Sequence, residues 1–171
     1  MPVGGANMTY VQNLRKLVGH MPLELPGTGL IIFKKCGDKL YYLLQHRTDN
    51  GKFGLLGGGI ELHETYRHCA NRELYEESGL FTQEEEFKLQ DVYAGERHIT
   101  IHPNGDEVHH TVVVFSIDYY KCSYDTGELD NESKGVVWCD EDTIKELLAQ
   151  NKVFPNNAPI LEDLIDGKFH F

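Results

Sequence analysis

Three glutamates, Glu73, Glu76 and Glu77, stand at spacings that gather them on one side of a helix, next to Arg72 and some way after Glu64. Helix positions three and four apart are neighbours, about 5–6 Å apart at Cβ, so these carboxylates can converge. At about 100° per residue, Tyr66, Ala70 and Leu74 form an apolar stripe suited to packing on a sheet. Glu77 falls inside that stripe, Glu73 at its edge and Glu76 a little further round. Carboxylates crowded on a half-buried face repel one another and shift towards the protonated form. A divalent cation removes the conflict, and a hard ion such as Mg2+ (or Mn2+) takes oxygen ligands of this kind. The run Gly57-Gly58-Gly59 precedes the segment, and Gly79 supplies a left-handed stop. The stretch therefore reads as a metal site built on a glycine loop and the helix after it.

The elements around it must hold that site in place. Thr9–Val18 has helical spacing, with Tyr10, Leu14 and Leu17 inward and Gly19 as its stop. Pro22 and Pro26 punctuate the entry to a first strand, Thr28–Lys34. Leu40–His46 follows as its hairpin partner, and Arg47–Lys52 is a polar loop. The helix that carries the glutamates is expected from about Thr65 to Ser78, and Glu84–Glu86 as a solvated loop. Leu89–Ile101 and Val108–Lys121 are two β-rich runs joined by Asn104-Gly105, a strong hairpin signal. Tyr124–Lys134 reads as surface loop and Gly135–Trp138 as a last short strand. Asp140 caps a helix to Gln150, and Ile160–Ile165 forms a closing helical turn. The order predicts an α/β fold with a mixed sheet between helical layers.

Composition narrows the function. The chain has 171 residues with 40% apolar and 25% charged, ordinary for one globular domain. Residues 1–8 are expected to be an extension, disordered or a cloning remnant, and residues 9–171 a single domain. A formal net charge of −11 opposes binding to a nucleic-acid backbone, so DNA is not an expected partner. A polyphosphate would meet the same repulsion unless a cation stood between. Cys36, Cys69, Cys122 and Cys139 form no C-x-x-C pair and read as free thiols of a reducing, cytoplasmic compartment. No apolar run reaches the ~18 residues of a membrane span, and no leader pattern is present.

Gly58, Glu64, Arg72-Glu73-Leu74, Glu76-Glu77 and Gly79-Leu80 match every specified position of G-x5-E-x7-R-E-U-x-E-E-x-G-U, where U is aliphatic. In this the chain resembles the Nudix hydrolases. The resemblance implies an α/β/α sandwich and metal-dependent hydrolysis of a nucleoside diphosphate linked to another moiety, a small-molecule substrate. By carry-over, Glu73, Glu76 and Glu77 are metal ligands, joined by a backbone carbonyl at Gly57 or Gly58, while Arg72 and Glu64 form an ion pair orienting the catalytic glutamate. The general base is left open between Glu73 and a later carboxylate; Glu132 is the candidate there, with Glu96, Asp106 and Glu107 as rivals.

Arg47 is a candidate phosphate contact or simply a strand-end arginine. Asn157 resembles a loop residue that touches a nucleobase, its amide offering donor and acceptor together; a turn-forming asparagine is the simpler account. His98, His102, His109 and His110 invite a zinc reading, but alternation along a hairpin separates successive residues, and they are expected on the sheet surface. Two positions depart from the usual family loop: Leu56 stands where proline is common and His63 where glycine is. A non-catalytic Nudix-fold module is the alternative to an enzyme, and an isoprenoid isomerase fits less well for want of its cysteine and histidine partners. Oxidised or ordinary nucleoside triphosphates, ADP-ribose, dinucleoside polyphosphates and capped RNA all stay open as substrates. The acidic surface makes RNA the least attractive, and the resemblance leaves a homodimer open.

Overall fold

The computed structural model describes residues 9–47, 50–124 and 135–171. Thr9 caps the first helix, α1 (Tyr10–Val18), in a reciprocal capping box with Gln12. Next come β1 (Leu23–Cys36), β2 (Lys39–His46) and β3 (Phe53–Gly54), then the central helix α2 (Tyr66–Ser78). The remaining strands are β4 (Leu80–Phe81), β5 (Lys88–Tyr93), β6 (Ile99–Ile101), β7 (Glu107–Asp118), β8 (Ser123–Tyr124) and β9 (Val136–Asp140). Two helices close the chain, α3 (Glu141–Ala149) and α4 (Ala158–Ile165).

A mixed sheet carries the core. Strands run β3-β2-β1-β7-β5, with β9 on the outer side of β2 and β6 on β7, while β4 and β8 pair separately. The β1–β7 pairing is parallel and long, from Leu23 opposite Val108 to Phe33 opposite Asp118; the other pairings are antiparallel. Period-two alternation sends neighbours to opposite faces. Leu30 and Ile32 pack under α2 with Ala70 and Leu74, whereas Ile31 joins Ile144, Leu147, Ile160 and Leu164 of α3 and α4. Helices thus cover both faces, the expected sandwich. Among the described residues no helix is long and apolar enough to cross a membrane.

The feature that builds the site is a fork. β2 pairs with β1 only up to Ile32–Leu43, and beyond it the two strands part. The segment after β3 fills the gap, bridging Leu30 to Leu56 and Gly27 to Gly59. Its backbone is held by Leu30 N–H to Leu56 O at 2.8 Å, Thr28 N–H to Gly58 O at 2.9 Å and Ile60 N–H to Pro26 O at 3.2 Å.

Several sequence expectations need correction. β1 begins at Leu23 and runs through Pro26. Proline fits there because, at its level, the loop takes only its carbonyl, so the missing N–H interrupts no ladder. The run Leu89–Ile101 is broken: β5 ends at Tyr93, a 3-10 turn (Glu96–His98) follows Gly95, and only β6 forms the hairpin with β7. Glu84–Glu86 is also a 3-10 turn, with Glu84 paired to His68 and Glu86 to Lys121. His98 is buried, not on the sheet surface, and its Nδ1–H donates to Asn156 O at 2.9 Å. Burial lowers its pKa, which favours the neutral ring.

Candidate active site

Helix α2 begins at the Thr65 cap, whose side chain accepts from His68 N–H, and ends at Gly79, φ +78°. Cys69, Ala70, Leu74 and Ser78 are its buried residues, close to the apolar stripe expected from Tyr66, Ala70 and Leu74. Burying that face turns Glu73 and Glu77 towards the glycine loop. Gly57 N–H donates to Glu77 Oε2 at 2.8 Å, and Gln45 of β2 reaches Glu77 Oε1 at 3.5 Å. The close approach depends on glycine. A Cβ on Gly58 would lie 2.4 Å from Glu73 Oε1, and one on Gly57, φ +140°, would lie 2.1 Å from Thr28 O.

Arg72 ties the carboxylates together. Its Nε and Nη2 grip Glu64 at 2.7 and 3.0 Å, a bidentate pair, while Nη1 donates to Glu73 Oε1 at 2.7 Å and Nη2 to Gly59 O at 3.0 Å. Glu76 Oε2 lies 3.3 Å from Nη1 with its side chain 55% exposed. The Arg72 hydrogen bonds hold the Glu64 carboxyl below the usual range. Burial raises Glu73 despite Arg72, and burial pushes Glu77 up to about 7 against the pull of the Gly57 N–H. The guanidinium is held above its ordinary value, chiefly by Glu64, and stays charged.

One guanidinium therefore serves three carboxylates, with Glu77 a fourth acid beside them, and the group is short of positive charge. The donors left over are oxygens on one helix face, the chemistry a hard divalent cation accepts. Among the described residues the carboxylates do not already converge as a three-ligand cage; Glu73 is turned to Arg72 and Glu77 to Gly57 N–H. The Gly58 carbonyl is engaged by Thr28 N–H, an interaction a cation at that oxygen would have to share or displace.

The loop opens into a cleft of about 640 Å³ that reaches from Gln45, Arg47 and Gly57 to Tyr10 and Leu14 of α1. Arg47 closes the turn after β2 through its backbone and lines this cleft. Asn157 also lines it, and its Oδ1 accepts from Leu55 N–H at 2.9 Å, tying the α4 loop to the loop after β3. Asp106 lies away from the carboxylate cluster, paired with His20 and Arg15, and Glu107 pairs with His109. Glu132 falls outside the described residues. Sequence reasoning missed α1 as a cleft wall, Gln45 behind Glu77, and Glu24 in the cleft; only the inward spacing of Tyr10 and Leu14 pointed that way.

His63 is one of two non-glycine residues with positive φ among those described, at +67°. The glycine usual at this point would suit the backbone better. A left-handed residue with a Cβ costs about 1–2 kcal/mol, offset by roughly 0.5–1 kcal/mol for the freedom glycine loses on folding. His63→Gly should stabilise the protein by about 0.5–1 kcal/mol, read as a raised denaturation midpoint with unchanged slope. A lowered midpoint would show that the imidazole makes a compensating contact.

Comparison with known proteins agrees with this geometry. The family model for the NUDIX domain matches residues 24–164. The chain belongs to the Nudix family, a family of pyrophosphohydrolases, and is a Nudix hydrolase. Solved structures share the fold. The NUDIX domain of NrtR from Shewanella oneidensis, complexed with ADP ribose, is 16% identical with TM-score 0.56, covering 94% of this chain and 99% of that one. A mutator MutT protein from Bacillus halodurans is 17% identical with TM-score 0.56, covering 82% of each chain. The Ap4A hydrolase of C. elegans is 16% identical with TM-score 0.53, covering 85% and 96%. No curated protein matches the sequence.

Proposed function

We propose that this chain hydrolyses a phosphoanhydride bond in a nucleoside diphosphate linked to another moiety, with Mg2+ or Mn2+ held by Glu73, Glu76 and Glu77. The supporting observation is the carboxylate cluster itself: three acids share one guanidinium and a fourth, Glu77, is held by the glycine loop, at the edge of a cleft large enough for a nucleotide. A bound cation would neutralise phosphate oxygens and acidify the attacking water. Arg72 and Glu64 fix the helix face and present Glu73. Arg47 is the proposed phosphate contact and Asn157 a proposed substrate contact, its Oδ1 bracing the cleft wall at Leu55. Either the Gly57 or the Gly58 carbonyl adds a backbone ligand. Glu73 and Glu132 remain the two candidates for the general base.

The test is a screen of nucleoside triphosphates, ADP-ribose and dinucleoside polyphosphates with Mg2+ and with Mn2+, scored by product mass. Cleavage of at least one member, abolished by EDTA, is the expected result. Binding without turnover across the whole set would make the chain a nucleotide-binding module instead.

A further inference from the structure

Two carboxylates line the cleft itself, Glu24 and Glu61, and neither belongs to the metal-type cluster. Glu24, near the start of β1, lines it together with Thr111, and the Thr111 hydroxyl donates to Glu24 Oε1. Among the described residues no lysine or arginine pairs with Glu24. Glu24 is exposed, and an acid in this place would repel phosphate, so a nucleotide in the cleft would meet it with another part.

Its position says which part. Thr28 N–H is bonded to Gly58 O, so Thr28 marks the end of the cleft beside the glycine loop. Glu24 lies four positions earlier on the same strand, roughly 13 Å away at the usual rise of about 3.3 Å per residue. Such a span passes beyond a diphosphate and a ribose to the outer edge of a base. Helix α1 closes the same end. Arg15 donates to Gly19 O, Met21 O and Glu107 O, and Glu107 precedes Val108, the partner of Leu23. That anchoring brings Tyr10, Val11 and Leu14 to the cleft as an apolar wall for a flat ring.

An ionised carboxylate only accepts hydrogen bonds, and its two oxygens offer about four sites. Thr111 takes one of them, which leaves both oxygens able to meet a donor pair. Guanine turns two adjacent N–H groups outward on its Watson–Crick edge. Adenine and cytosine set a ring-nitrogen acceptor beside their amino group, and uracil flanks its single N–H with carbonyl oxygens. Those acceptors would face the carboxylate and be repelled.

We infer that Glu24 is a specificity-determining residue that selects a guanine-type base at the α1 end of the cleft. The inference rests on the hydrolase reading above, and its test separates the two. Steady-state kinetics would compare guanine and adenine forms of whichever nucleotide class is cleaved, in the wild type and in Glu24→Gln. In parallel, titration calorimetry would measure GMP and AMP binding to both proteins. The wild type should favour guanine by about tenfold or more, the scale of a bidentate base contact. The difference should lie mainly in KM, and Glu24→Gln should bring the ratio close to one while its circular dichroism stays that of the wild type. Equal handling of the two bases by the wild type, or a ratio that Glu24→Gln leaves unchanged, overturns the assignment. Absence of hydrolysis for every nucleotide overturns the hydrolase reading instead, and the GMP-to-AMP binding ratio then still decides the role of Glu24.

Discussion

Glu76→Gln and Glu77→Gln should each lower cation-dependent hydrolysis by about 10²–10³-fold, the usual cost of removing one preorganised electrostatic group. Both substitutions keep the shape of the side chain and remove its charge, so the loss would report on charge held for a cation. Their effects on stability should differ, because Glu76 is 55% exposed and Glu77 is buried enough to raise its pKa to about 7. In EDTA, Glu77→Gln should melt higher than the wild type at pH 8, since a neutral amide no longer has to be ionised in a desolvated site. The Gly57 N–H keeps an acceptor in the glutamine oxygen. Glu76→Gln should leave the EDTA melting temperature nearly unchanged. Added Mn2+ should raise the wild-type melting temperature, by the equivalent of about 2.7 kcal/mol at a hundredfold excess over Kd, and both variants should lose most of that rise. Activity retained within a few-fold in both variants would remove these side chains from the cation site.

The α2 face is legible in the sequence because helical periodicity is a local property. Ala70 and Leu74 had to be buried, and that burial alone sets Glu73 and Glu77 against the glycine loop. Glu64 and Arg72 could be paired only through the family pattern, since one is on a loop and the other on the helix. Non-local pairing was the part out of reach. Nothing near Pro26 announces that β1 continues as far back as Leu23, because the partner that extends it, β7, is some eighty residues away and parallel to it. The same distance hid the contact of Glu24 with Thr111 and the anchoring of α1 at Glu107. Alternation carried through Gly95 puts His98 on the sheet surface, but the strand breaks there and buries it. His63 shows the opposite case: its departure from the family loop was visible at once, and the left-handed backbone at that residue gives the departure a physical cost.

Arg72→Ala should be the most destabilising single change at the site, by about 3 kcal/mol, the lower end for breaking a buried ion pair. Arg72 is itself 24% exposed, but the side chains it serves, Glu64 and Glu73, are only 6% and 12% exposed. Without the guanidinium both would be left as desolvated acids with no cation beside them. For a chain of this size that corresponds to roughly 6–12 °C in melting temperature. Arg72→Lys should fall between, because an ammonium supplies charge but not the fork that grips Glu64 through two nitrogens. A merely bulky role would predict something else, and the double variant Arg72→Ala with Glu64→Gln discriminates. If an unneutralised carboxylate is the main cost, adding Glu64→Gln should return a third or more of the lost stability, a coupling of about 1 kcal/mol or more, as contacting sites in one network show. If lost packing dominates, the two changes should add. The kinetic signature should separate likewise: a positioning role for Arg72 lowers kcat through a misdirected Glu73, while KM for nucleotide changes little.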